Sequence, residues 1–308
     1  MSAQAREGQT FTGASRLVAY ANLVKLPHTV FALPFALIGV VLASYRHQLR
    51  LGDVGWVVLA FTAARFAAMG FNRIVDRRLD AENPRTAMRE IPRGAVSVTA
   101  AWVAVGLSVA LFVVAAGALN RLCLYLSPLA LGWVLGYSYT KRFTRWSHLV
   151  LGAGLGIAPV GGYLAIAGAW SRPWWILVAL AAAVTAWVAG FDILYALPDE
   201  EFDRSHALHS LPAALGPQRA IVIARALHAL TIGALALAGV GAHLGVLYWC
   251  GIVIAAVILT YEHSLVHPGD LTRLDAAFFT MNGMLSITLF FFVLAERIRP
   301  LLFLGWRQ

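Results

Sequence analysis

Asn72, Asp76 and Asp80 recur every four residues at the end of an apolar run. At about 100° per residue, that spacing predicts a single helical face, on which two carboxylates and an amide oxygen could converge on a hard cation. A second set, Asp192, Asp199 and Asp203, is spaced by seven and then four residues, which again predicts nearly one face. Asp192 falls late in another apolar run, where an uncompensated carboxylate is costly, so it requires a cation, a partner or a watery cavity. Asp80-Ala81-Glu82-Asn83-Pro84-Arg85 predicts a helix end near Pro84 and a basic turn after it, and Pro198 is expected to loosen the helix at the second set.

Carboxylates without a histidine or cysteine cluster point to Mg2+, with Mn2+ as a possible substitute, rather than to zinc or copper. Mg2+ prefers a few carboxylates together with phosphate oxygens, so two acidic sets read as a cradle for a diphosphate bridged by metal. A departing diphosphate also needs positive charge, for which Lys25, Arg65, Arg73, Arg77, Arg78, Lys141 and Arg142 are the candidates. Arg77, Arg78, Lys141 and Arg142 read equally well as charges that orient a membrane protein. Arg65 lies near the middle of its apolar run, which favours a cavity over lipid. Cys123 and Cys250 have no metal-ligand spacing, and Glu262-His263 lacks the spacing of a zinc-binding helix. His28, His206 and His209 are at most candidate pocket or loop contacts.

The elements that must position these residues follow from composition. Of 308 residues, 60% are hydrophobic and 13% charged, against about a quarter charged in a soluble domain. Apolar runs at 18–44, 54–75, 95–118, 122–140, 147–168, 173–196, 219–241, 244–263 and 275–295 each approach the roughly 20 residues that cross a bilayer. The expected fold is therefore an all-α polytopic bundle of about nine transmembrane helices, one domain over 1–308, with Pro128 kinking the fourth span. The polar start and long first run predict that no signal peptide is removed. Arg6, Arg16, the arginines of 76–94, Lys141, Arg142, Arg145, Arg204, Arg219 and Arg273 fall on one side; fewer, Arg46, Arg50, Arg121, Arg172, Arg297, Arg299 and Arg307, fall on the other. That bias predicts an amino terminus inside and a carboxyl terminus outside. The net charge of +9 is dispersed among short loops rather than gathered in a tail, so no nucleic-acid partner and no obligate protein partner is expected. A polytopic bundle with buried acids would also suit an ion-coupled transporter, but the acids cluster at helix ends rather than mid-bilayer, which favours a reaction site.

Asn72-Arg73-Ile74-Val75-Asp76-Arg77-Arg78-Leu79-Asp80 with Asn83-Pro84-Arg85-Thr86, Tyr137-Ser138-Tyr139-Thr140-Lys141-Arg142, and Asp192-Ile193-Leu194-Tyr195-Ala196 through Asp199 and Asp203 closely resemble the UbiA family of intramembrane prenyltransferases. The early stretch Pro27 to Ala36 is similar to that family's first helix. The resemblance implies Mg2+-dependent transfer of a polyprenyl group from a polyprenyl diphosphate in a bacterial inner membrane. The acceptor it implies is a hydroxylated aromatic acid of ubiquinone or menaquinone synthesis. It further implies metal ligation by Asn72, Asp76, Asp80, Asp192, Asp199 and Asp203. Substrate contacts would come from Lys25, Arg65, Asn72, Arg73, Arg77, Arg78, Tyr139, Lys141, Arg142 and Tyr195. Catalysis would rest on Asp76, Asp192, Asp199 and Arg65. Arg65 would anchor the acceptor carboxylate or instead pair with Asp192, and Asp192 would orient the acceptor hydroxyl or take a proton. Tyr261-Glu262-His263, Asp270-Leu271 and Phe278-Phe279-Thr280-Met281-Asn282-Gly283 resemble relatives in the futalosine route, which leaves 4-hydroxybenzoate and a dihydroxynaphthoate-type acid both open as acceptors.

Overall fold

The computed structural model describes residue 11, residues 15–274 and residues 276–304. Arg6, Arg307 and the side chain of His28 lie outside the described residues. The chain forms helices α1 (Arg16–Leu23), α2 (Leu26–Ala43), α3 (Leu51–Val75), α4 (Arg77–Glu82), α5 (Val98–Leu119), α6 (Arg121–Gly136), α7 (Ser147–Ala167) and α8 (Trp175–Tyr195). It continues through α9 (Glu200–Ser205), α10 (Leu211–Leu215), α11 (Pro217–Gly241), α12 (Val246–Ser264) and α13 (Asn282–Leu304). Tight 3-10 turns at Tyr137–Arg142 and Leu197–Asp199 and a wide π turn at Ala276–Met281 interrupt or extend these helices.

Among the described residues, eight helices are long and apolar enough to cross a membrane: α3, α5, α6 with its 3-10 extension, α7, α8, α11, α12 and α13. The 18-residue α2, about 27 Å long, is not among these eight; its apolar part, Phe31–Ala43, is shorter. Large apolar side chains such as Leu107, Leu129, Val253 and Phe291 point outward, a surface suited to lipid rather than water. Pro128 sits within α6 without ending it, as expected of a helix supported by neighbours.

Two expectations of continuous helix fail, and a third break falls where Pro198 is expected to loosen the helix, each at an identifiable residue. The first apolar run breaks into α1 and α2, because Pro27 can begin a helix but cannot donate into one; Lys25 takes the left-handed conformation at φ 48°. The first acidic set does not occupy one regular helix: α3 ends at Val75 and Asp76 bends the chain into α4. The second set spans three pieces, because α8 stops at Tyr195, Pro198 falls in the 3-10 turn, and α9 begins at Glu200. The end of α4 at Glu82, just before Asn83-Pro84, follows the sequence expectation.

The core centres on α8, buried along most of its length between α7 and α11, while α2 lies across α7 and α13 and α3 packs on α5. Helix contact inside lipid is driven by close packing rather than by water exclusion, so small residues decide which helices meet. A Cβ at Gly39 of α2 would overlap the carbonyl oxygen of Pro159, and one at Gly162 of α7 would overlap that of Ala36, so these two glycines set the α2–α7 contact. Gly152 and Gly156 likewise bring α7 against Thr185 and Ala181 of α8, whereas Gly161 faces open space. Successive spans alternate in direction, so the C-terminal ends of α3, α6 and α8 gather with the N-terminal ends of α2 and α7. The chemistry-bearing residues collect at that end.

Candidate active site

A cavity of about 250 Å³ opens at this end of the bundle, and both acidic sets line it. Lys25, Arg65, Asn72, Arg73, Asp76, Asp80, Lys141, Arg142, Asp192, Tyr195, Asp199 and Asp203 all face it, joined by Asn83, Arg85, Arg89 and His148. Arg77, Arg78 and Tyr139 are not among the lining residues. Arg77 donates to the Ile74 carbonyl oxygen at 2.8 Å, Arg78 is exposed, and Tyr139 packs against Phe71 with the Arg142 guanidinium 5.5 Å above its ring.

Each carboxylate in the cavity is held by a specific partner. Arg142 donates to Asp76 Oδ1 at 2.8 Å, and the Asn72 side-chain amide donates to Asp76 Oδ2 at 2.8 Å. Arg89 donates to Asp80 at 2.6 Å, with Arg73 at 4.0 Å. Arg85 grips Asp199 with two donors, and Asn83 adds a third bond at 3.0 Å. Lys141 lies 3.1 Å from Asp203. Burial would raise the Asp199 carboxyl, but the charges of Arg85 and Lys141 outweigh it and hold Asp199 below the ordinary carboxylate value. At Asp76 burial prevails over the pull of Arg142, and the carboxyl is raised. Burial among Arg73, Arg89 and Arg85 pushes the Lys25 ammonium well below its ordinary value. Such crowding of like charge favours an anion in the cavity.

Among the described residues, no three acidic, histidine or cysteine side chains form a ready-made metal site. The donor set nevertheless suits a hard cation: Asp80 Oδ2 is buried and makes no hydrogen bond, with only Arg73 at 4.0 Å, while Asp203 Oδ2 is held by the Lys141 ammonium at 3.1 Å. Buried orphan oxygens are rare, and a carboxylate oxygen of this kind is what Mg2+ coordinates alongside phosphate.

Asp192 pairs with His148 at 2.6 Å, not with Arg65. His148, only 1% exposed, accepts from the Leu211 backbone N–H through Nε2 at 3.4 Å, which places its proton on Nδ1 facing the carboxylate. Sequence reading misses His148 because its partner lies 44 residues away, and a lone histidine beginning an apolar run carries no spacing signal. Arg65 keeps a buried, unpartnered Nε at the cavity wall. Against these charges, with the Arg85 guanidinium 4.6 Å above its ring, Tyr195 stacks on Phe278 at 4.1 Å between ring centres, with Phe191 and Trp187 edge-on in sequence behind them. The Asn282 amide anchors this wall, accepting from Trp187 at 2.6 Å and donating to the Phe278 carbonyl oxygen of the π turn at 2.9 Å.

Below the charged cavity lies an apolar chamber of about 400 Å³ between α3, α5, α6 and α7, walled by residues such as Ala64, Phe112, Leu126, Trp133 and Gly161. Arg65, Tyr137, Leu151 and Leu155 line both spaces, so the two meet there. Leu129 and Trp133 of the chamber wall are also exposed on the outer face of the bundle, which opens the chamber sideways toward lipid.

The model of the family described as UbiA prenyltransferase matches residues 32–286. A 4-hydroxybenzoate octaprenyltransferase of Xanthomonas campestris pv. campestris (strain B100) is 34% identical over 212 residues, 67% of this chain and 69% of that protein. The one of Nitrosospira multiformis is 30% identical over 283 residues, 91% of this chain and 95% of that protein. The apo structure of a UbiA homolog from Aeropyrum pernix K1 superposes with a TM-score of 0.77 at 32% identity, covering 89% of this chain and 98% of that one. A UbiA homolog from Archaeoglobus fulgidus, described as bound to GPP and Mg2+, shares the fold at a TM-score of 0.70 and 21% identity, with 91% and 99% covered.

Proposed function

The chain is a multi-pass integral membrane protein of the UbiA prenyltransferase family, and we propose that it transfers a polyprenyl group from a polyprenyl diphosphate to a hydroxylated aromatic acid, 4-hydroxybenzoate or a dihydroxynaphthoate-type acid, in quinone synthesis. The observation that carries this reading is the junction of a charged cavity with an apolar chamber at Arg65 and Tyr137. A molecule with a diphosphate head and an isoprenoid tail fits both spaces at once. The Xanthomonas and Nitrosospira relatives named for 4-hydroxybenzoate, and the Archaeoglobus homolog bound to GPP and Mg2+, support the same donor, metal and acceptor class.

In this reading Asn72, Asp76 and Asp80 would hold one side of a Mg2+–diphosphate complex and Asp192, Asp199 and Asp203 the other, with Mn2+ as a substitute. The metal, when bound, would accommodate negative charge on the diphosphate as it departs. Lys25, Arg73, Lys141 and Arg142 supply fixed positive charge for the same purpose. The allylic C–O bond breaks with its electron pair going to the diphosphate, and the allylic carbon bonds to the ring carbon ortho to the acceptor hydroxyl. Loss of that carbon's proton restores aromaticity. Arg65 anchors the acceptor carboxylate and Asp192, oriented by His148, faces the hydroxyl. Phe191 and Phe278, which line the cavity, face the developing cation. The charged face lies on the cytoplasmic side of a bacterial inner membrane, with the amino terminus inside and the carboxyl terminus outside.

The test is transfer of a radiolabelled prenyl group by purified protein with Mg2+ across a panel of acceptors. Transfer to an aromatic acid is expected; transfer only to a glycerol phosphate or a haem precursor would overturn the acceptor assignment. The tail path has its own test. Gly161 lies about 20 Å along α7 from Ser147, and a Cβ there meets open space, so Gly161→Phe fills the chamber without striking backbone. Transfer from a long polyprenyl donor should fall by about tenfold or more, while a dimethylallyl donor, too short to reach, keeps its rate. Equal loss for both donors, or for neither, would place the tail elsewhere.

A further inference from the structure

Both oxygens of Asp199 are fully engaged: Oδ1 accepts from Arg85 Nε at 2.9 Å and from Asn83 at 3.0 Å, and Oδ2 accepts from the other arm of the same guanidinium. The two side chains are each 8% exposed, so neither can exchange its partner for bulk water. Arg85 also lies 4.6 Å above the centre of the Tyr195 ring, inside the cavity that the diphosphate would enter.

Resting on the donor reading above, we propose that the divalent cation and the diphosphate bind this protein as a coupled unit, and that Arg85 couples them by passing from Asp199 to a diphosphate oxygen as the cation takes its place. A cation arriving alone at Asp199 would leave a buried guanidinium without a counter-charge. A diphosphate arriving alone to claim Arg85 would leave a buried carboxylate in the same condition. Removing one partner of a buried pair is strongly unfavourable, whereas the double exchange gives each charge a new partner at once. The Arg89–Asp80 and Lys141–Asp203 pairs repeat the pattern at 2.6 and 3.1 Å. Asp80 Oδ2, which makes no hydrogen bond, offers the cation its first contact before Arg85 moves.

Equilibrium dialysis of the purified full chain in lipid nanodiscs against Mn2+, with inorganic diphosphate absent or present on both sides, tests the coupling. At matched free Mn2+, the wild-type protein should retain manganese about tenfold more tightly with diphosphate than without it. Arg85→Gln should bind manganese alone about tenfold more tightly than the wild type and lose most of the gain from diphosphate. Equal wild-type retention in both conditions overturns the coupling and leaves the donor reading standing. No retention in either condition overturns the donor reading and the coupling with it. An Arg85→Gln protein that behaves as the wild type removes Arg85 from the role. The wild-type comparison needs no variant to fold, and Asn83→Ala, which deletes one bond to Asp199 but keeps the charge pair, should shift manganese binding in the same direction by less.

Discussion

Asp76→Asn should lower prenyl transfer by at least about a hundredfold while leaving a folded bundle, a loss typical of removing one electrostatic contact to a transition state. The substitution keeps the size of the side chain and its hydrogen bonding to Asn72 but removes the charge that a cation requires. It is a cleaner probe than Asp199→Asn because of what each leaves behind. Arg142, the partner of Asp76, is 33% exposed and also bonded to the Ser138 and Val75 carbonyl oxygens, so water and backbone can support it. Arg85, the partner of Asp199, is 8% exposed, and stranding it could cost about 3–5 kcal/mol of folding stability in addition to activity. Steady-state transfer measured beside thermal unfolding in nanodiscs separates the two effects. Near-normal turnover by folded Asp76→Asn would count decisively against metal ligation there.

Arg65→Leu should reduce kcat/KM for the aromatic acid by about a hundredfold and leave KM for the prenyl diphosphate nearly unchanged, as expected when a buried charge loses its hydrogen-bonded counterpart. Arg65 stands within α3 at the junction of the charged cavity and the apolar chamber, with an Nε that no described residue satisfies. An acceptor carboxylate would satisfy it through two parallel donors. Leucine is the informative replacement because deleting a buried guanidinium whose Nε has no partner among the described residues need not destabilise the bundle. Lysine should recover only part of the loss, since a point charge lacks the planar fork. Comparing the acid with its decarboxylated phenol sharpens the result: the variant should have lost its preference for the acid. A rise in donor KM instead would reassign Arg65 to the diphosphate.

The sequence by itself determined that the chain crosses a membrane many times and that two acidic sets meet bases at one face. Both conclusions are local. A bilayer leaves the backbone no partner but itself, so an apolar run of sufficient length must be helix, and residues four apart on a helix are neighbours whatever else the chain does. Even the breaks at Pro27 and Pro198 were written in residue type, though their effect on the direction of the chain was not. Tertiary packing alone decided which base holds which acid: Arg85 and Asp199 are 114 residues apart, Lys141 and Asp203 62, and His148 and Asp192 44. No spacing rule reaches across such distances, because the pairs form only when helices close on one another, as Gly152 and Gly156 allow α7 and α8 to do at His148 and Asp192. The apolar chamber was invisible for a related reason. Leucine, alanine and phenylalanine face lipid and line a tail path equally well, and only the void left between α3, α5, α6 and α7 distinguishes the two.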